Sequence, residues 1–190
     1  MKLESVQTVC DLKYLSTYLA NYTNKNGNPK PYEFVSRKHG LSTLEDIQDQ
    51  RCDGVVIAVF DEAKEHILLE REFRPAIGDF MYNFPAGLIE PDETPEAAAA
   101  RELEEETGLH VVRIHQTLRP AYALASLSNE LSAMLIATAE GQIGGHPEEN
   151  EEIEAAWYSK NAVLKLLDTA KFSARAQLLC SLWAHGLLNI

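Results

Sequence analysis

The sequence predicts an α/β protein: a mixed β-sheet packed between helices, with a small antiparallel β unit at the N-terminus. Three observations carry that prediction. A dense series of short apolar or alternating runs follows Asp53, each of strand length. A strongly punctuated helix interrupts the series near residue 100, and two amphipathic helices close the chain. The first 50 residues differ in pattern, mixing turn chemistry with one alternating run. Two domains are expected, an N-terminal β unit over 1–50 and the main domain over 51–190.

In the N-terminal unit, Leu12 to Tyr22 mixes apolar and polar residues, TNKNGNPKP is a turn, and Tyr32 to Val35 alternates as a strand does. A short helix is expected over Ser42 to Gln50, capped by Ser42 or Thr43. VVIAVF, from Val55 to Phe60, is a buried strand, Asp61 to Lys64 a turn, and His66 to Phe73 a second strand. Met81 to Phe84 is a strand that leads into a loop at Pro85. His110 to Leu118, Glu130 to Ala139 and Ile153 to Tyr158 read as further strands, with a polar loop from Gly141 to Glu152. Asn161 to Asp168 and Ser173 to His185 are helices, and Leu178, Leu179, Leu182 and Trp183 form a core-facing stripe on the second.

Composition narrows the function. The formal net charge of −12 repels nucleic acid and anionic membranes, so neither is expected as a partner. A phosphate-bearing substrate needs local cations to overcome that field. Cys10, Cys52 and Cys180 lie far apart with no CxxC pair, which suits reduced thiols rather than a zinc site or a disulfide framework. MKLESVQTVCDL lacks the apolar core of a signal peptide, and the aliphatic runs are too short to span a bilayer. A cytoplasmic protein is expected.

The central helix is bounded by its own residues. Thr94 is a good N-cap, Pro95 suits the first turn, Glu96 favours the positive dipole end, and Gly108 suits the residue past the C-terminus. The helix should run from 95 to 107. Ala99, Ala100 and Leu103 should face the core, while Glu102, Glu105 and Glu106 share another face. Ala98 lies among these carboxylates and is small enough to leave room above them. Like charges at such spacing cost about 0.2–0.5 kcal/mol per pair, so something positive is expected there. Three carboxylates within one and a half turns suit a hard divalent cation such as Mg²⁺ or Mn²⁺. Ala86 and Gly87 can offer backbone carbonyls, and Arg101 can orient Glu105 four residues on.

An isolated acidic run is usually a solvated helix face. This one sits in a fixed spacing, G-x5-E-x7-R-E-U-x-E-E-x-G-U with U a bulky aliphatic, filled by Gly87, Glu93, Arg101, Glu102, Leu103, Glu105, Glu106, Gly108 and Leu109. That pattern is the Nudix box, and the chain resembles Nudix hydrolases. Glu72-Phe73-Arg74-Pro75, Phe84-Pro85-Ala86-Gly87-Leu88-Ile89 and the N-terminal Gly27…Tyr32-Glu33…Val35-Ser36-Arg37 resemble the ADP-ribose and ADP-sugar pyrophosphatase branch.

The resemblance implies a Nudix-type α/β/α sandwich. It also implies metals held by Glu102, Glu105, Glu106 and the Ala86 carbonyl, with Gly87, Glu93, Arg101 and Gly108 keeping the loop and helix in shape. Arg37, Arg74, Tyr32 and Leu88 become substrate contacts, Tyr32 stacking on adenine in what is expected to be a homodimer. Glu105, Glu106 and Glu151 become catalytic candidates. Glu151 sits in Glu148-Glu149-Asn150-Glu151-Glu152, where the branch keeps a catalytic glutamate, and Glu152 is the alternative. The expected reaction is metal-dependent hydrolysis of a nucleotide-sugar, ADP-ribose to AMP and ribose 5-phosphate. Another nucleoside-diphosphate sugar or a dinucleotide is the alternative. An intact box disfavours a non-catalytic nucleotide sensor. One departure bears on the substrate: Ala125 stands where ADP-ribose enzymes commonly carry a proline, sixteen residues beyond Leu109.

Overall fold

The structure, a computed structural model, describes residues 1–145 and 151–188. The chain divides into two compact units. The first comprises Met1–Asp53 and Pro120–Ser132, the second Gly54–Arg119 and Ala133–Ile190. Pro120–Ser132 thus groups with the N-terminal unit, although the sequence-based division at residue 50 gave it to the main domain.

In the first unit, β1 (Lys2–Asp11), β2 (Ser16–Thr23) and β3 (Pro29–Ser36) form an antiparallel sheet in that order. Period-two alternation buries Ser16, Tyr18 and Ala20 on one face of β2, where Tyr18 stacks on Phe34 at 5.3 Å beside Leu41. The Asn24 side chain closes the β2–β3 turn, accepting from the backbone of Asn26 (2.8 Å) and Asn28 (3.1 Å). β1 was not anticipated: its residues are mostly exposed, and Leu3 and Val6, which pack on the Tyr18 cluster, fall out of period-two phase across a register shift. The expected helix over 42–50 is only α1 (Leu44–Ile47), capped by Thr43 in a reciprocal box with Asp46.

The second unit holds β4 (Gly54–Phe60), β5 (His66–Arg74), β6 (Asp79–Asn83), β7 (Ala86–Leu88), α2 (Pro95–Thr107) and β8 (Leu109–Thr117). β9 (Ala121–Tyr122) belongs to the first unit, and β10 (Leu131–Gly141) starts there. β11 (Ile153–Ser159), α3 (Lys160–Thr169) and α4 (Ala174–Ala184) complete the chain. The main sheet runs β11-β5-β4-β10-β8, with β6 on β5, β7 on β4 and β9 on β10. Every residue of β4 is buried, as expected of a central strand covered on both faces. Val56, Ala58 and Phe60 pack with Ile67 and Leu69 against Val163, Ala176, Cys180 and Trp183 of α3 and α4. Val55, Ile57 and Val59 alternate onto the opposite face, and α2 packs on β4.

Three details depart from the sequence reading. Residues 86–88 form a short strand of their own, just beyond the loop expected at Pro85. The core stripe of α4 is Ala176, Cys180 and Trp183, while Leu178 is 63% exposed. Ala98 is fully buried, rather than open above the carboxylates, and Ala100 is only half-buried. Among the described residues no helix is long and apolar enough to cross a membrane.

Candidate active site

Local sequence sets the frame of the site. Thr94 caps α2 by accepting from the Ala97 backbone, Pro95 opens it, and Gly108 ends it at φ 74°, a left-handed conformation that suits glycine. The helix runs from 95 to 107, the bounds expected from its caps. β7 pairs with β4 through Val56↔Ala86 and Val55↔Gly87, which fixes the PAGL segment beside α2. Gly87 has a steric reason: a Cβ there would overlap the Glu102 carboxylate.

Arg101 is the hub of the box. Its Nε and Nη2 donate to both oxygens of Glu93 (3.1 and 3.0 Å), Nη1 to Glu102 (2.9 Å) and Glu105 (3.1 Å), and Nη2 also to the Leu88 carbonyl (3.0 Å). Glu93 in turn accepts from the Glu90 backbone at 3.0 Å. The planar guanidinium therefore ties the strand end, the loop and the helix together. Its hydrogen bonds hold the Glu93 carboxyl below the usual range.

Glu106 stands apart from this hub. It accepts from the Ala86 backbone at 3.2 Å and shares a hydrogen bond with the side chain of Glu70. Glu70 is 1% exposed, and among the described residues its Oε1 has no hydrogen-bond partner. Burial pushes the Glu106 carboxyl far up, and the charges of Glu70 and Glu102 push further. Burial raises Glu70 as well, reinforced by Glu72. Glu102 and Glu72 are raised by the same desolvation, opposed by Arg101 and Arg74 respectively. The charge of Glu151, just ahead of β11, acts on Glu70, Glu72, Glu102 and Glu106.

The structure thus brings Ala86, Gly87, Leu88, Glu93, Arg101, Glu102, Glu105 and Glu106 together, with Glu151 in electrostatic reach. Glu105 is the most open of the box carboxylates measured, its side chain 55% exposed. Arg74 ends β5 exposed and paired with Glu72 at 2.9 Å. Leu88 is 47% exposed. Residues 148–150 of the expected acidic loop lie outside the described residues. In the N-terminal unit, Arg37 pairs with Glu130 at 2.9 Å, and the Tyr32 hydroxyl donates to the Ser126 carbonyl at 2.7 Å. Tyr32, Phe34, Tyr122 and Ala125 help to line a cavity of about 230 Å³ there.

Glu70 was not singled out from the sequence. The signal was present in HILLEREFR, read as a strand: Ile67 and Leu69 join the α3–α4 core, so Leu68, Glu70 and Glu72 alternate to the other face. A glutamate on a core-facing strand position needs a reason. Among the described residues no three His, Cys, Asp or Glu side chains are already closed into a metal cage. Arg101 engages Glu102 and Glu105 instead. The donor set nevertheless fits a hard divalent cation, being desolvated carboxylate oxygens with one unsatisfied.

A hydrolase class follows from this fold and box, and comparison with known proteins agrees. Residues 50–179 match the NUDIX domain family model, and the chain belongs to the Nudix family. It is similar to the mouse (Mus musculus) ADP-sugar pyrophosphatase, 29% identical over 96% of this chain and 84% of that protein. It also resembles the ADP-ribose pyrophosphatase of Bacillus subtilis, 28% identical over 72% of this chain and 74% of that one. The crystal structure of an ADP compounds hydrolase shares the fold, with a TM-score of 0.72 and 19% identity over 100% of this chain and 98% of that chain. Within the family the chain groups with the ADP-ribose and ADP-sugar pyrophosphatase branch and is a Nudix pyrophosphohydrolase.

Proposed function

We propose that the chain hydrolyses ADP-ribose to AMP and ribose 5-phosphate with the help of Mg²⁺ or Mn²⁺. The observation that carries this reading is the desolvated carboxylate group around Glu106, set in an intact box. Similarity to ADP-sugar and ADP-ribose pyrophosphatases supports the substrate class. Glu102, Glu105, Glu106 and the Ala86 carbonyl are the proposed cation ligands. A bound cation supplies positive charge that neutralises the diphosphate and polarises it.

The chain's own residues do the rest. Glu151 accepts the proton of the attacking water. The water oxygen bonds to one phosphorus as the bridging P–O bond breaks, and the bridging oxygen leaves on the other phosphate. Arg74, exposed at the end of β5, binds phosphate oxygens, and Leu88 contacts the substrate beside the box. Tyr32 presents a ring for adenine to stack on, its plane steadied by the hydroxyl's bond to Ser126, and Arg37 is a further contact. The working unit is a homodimer.

A second reading, another nucleoside-diphosphate sugar or a dinucleotide, is favoured by Ala125. It lines the N-terminal cavity where ADP-ribose enzymes commonly carry a proline. The test is turnover of a panel of these compounds by purified protein with Mg²⁺, resolved by chromatography of the products. Fastest turnover of ADP-ribose, giving AMP and ribose 5-phosphate, is expected. A flat response to it beside rapid cleavage of another compound replaces the first reading by the second.

A further inference from the structure

We propose that Glu70 is a further ligand of the cation, acting with Glu106; this rests on the reading of the site as cation-dependent. Strand geometry puts Glu70 there. On β5 it lies between Asn83 of β6 and Ala155 of β11, with its side chain on the face opposite Ile67 and Leu69. Leu68 and Leu69, which precede it, are fully buried and apolar. A leucine or valine at position 70 would satisfy packing alone. Instead a carboxyl meets the Glu106 side chain, and among the described residues its buried Oε1 has no hydrogen-bond partner.

A purely structural role explains this arrangement poorly. Packing asks for no carboxyl here, and among the described residues the buried Oε1 has no hydrogen-bond partner, a state natural cores avoid. Nor is Asn83 a ready partner, since its Oδ1 accepts from Ser173 at 2.8 Å and its side chain also hydrogen-bonds Glu72. A divalent cation satisfies both carboxylates at once, because it takes up free lone pairs on each. Glu106 therefore serves as the shared element: it belongs to the box helix, and its partner comes from the sheet.

The test is Mn²⁺ binding without nucleotide, followed by the electron paramagnetic resonance signal of free Mn²⁺, together with thermal unfolding in EDTA and in Mn²⁺. The proteins compared are the native chain, Glu70→Gln and Glu70→Leu. Both variants are expected to bind Mn²⁺ about tenfold more weakly or worse. Both should melt in EDTA at or above the native midpoint, and both should lose the rise that Mn²⁺ gives the native protein. Affinity within twofold of native in Glu70→Gln overturns the proposal. So does a Glu70→Leu protein that melts lower in EDTA yet keeps its Mn²⁺ response, the mark of a structural donor. Failure of both variants to fold in EDTA also overturns it, since a ligand is dispensable to the metal-free fold. Absence of Mn²⁺ binding by the native protein is a separate result, which removes the cation-dependent reading itself.

Discussion

Arg101 makes five hydrogen bonds to four residues, and no other side chain has the planar fork that this needs. Lysine would keep the charge but offers its donors from one point. Arg101→Lys is expected to lower the free energy of unfolding by about 2 kcal/mol, measured by urea denaturation. Glu106 predicts the opposite for stability. Glu106→Gln replaces a desolvated carboxyl by a neutral amide, so its melting temperature should match or exceed the native value. Its turnover should fall on the order of a hundredfold or more in steady-state kinetics. Near-normal turnover would remove Glu106 from the chemistry. The residues of the box were legible because their spacing is local to one loop and one helix. Glu70 was not, because its meaning depends on which face of β5 the Glu106 side chain meets. Ala98 was misplaced for a related reason: helical phase orders residues around an axis, but the width of the buried face depends on what packs there.

At the scale of elements, α2 shows how far local chemistry reaches. Its cap, its proline and its terminal glycine set both ends without help from the rest of the chain. Thr94→Ala should cost about 1 kcal/mol of stability in chemical denaturation, because the Ala97 N–H loses its acceptor. Retained stability would show that another group satisfies that N–H. Strands were read less evenly. β4 and β5 announce themselves by apolar density, whereas β7 and β9 are three and two residues long and exist only through their pairing with β4 and β10. In α4 the buried stripe passes through Cys180, so Leu178 turns outward. Of the expected stripe, Trp183 is buried and Leu179 packs against the same core.

For the whole molecule, the three thiols offer a simple probe. Cys10 is exposed, while Cys180 is fully buried and burial pushes its thiol up to about 12. Because the thiolate is the reactive form, iodoacetamide at pH 8 should label Cys10 and leave Cys180 untouched until the protein is unfolded, as read by peptide mass spectrometry. Early labelling of Cys180 would mean that the α3–α4 core opens readily. The division into units also belongs to this scale. Pro120–Ser132 joins the N-terminal unit through contacts such as the Val35 N–H to the Leu127 carbonyl at 2.9 Å and the Asn129 side chain to the Ile47 carbonyl at 3.3 Å. No composition shift marks that excursion.

The sequence by itself determined the family, the box helix with both its ends, and the alternation of most strands. These depend on residues a few positions apart, where backbone preference and capping act directly. Only the tertiary structure decided that Arg101 also reaches the Leu88 carbonyl, and that Glu70 meets Glu106 from the sheet. It also decided that residues 120–132 belong with the N-terminal unit. Such contacts join positions distant in the chain, and strand pairing and burial select them, so no local pattern records them in advance.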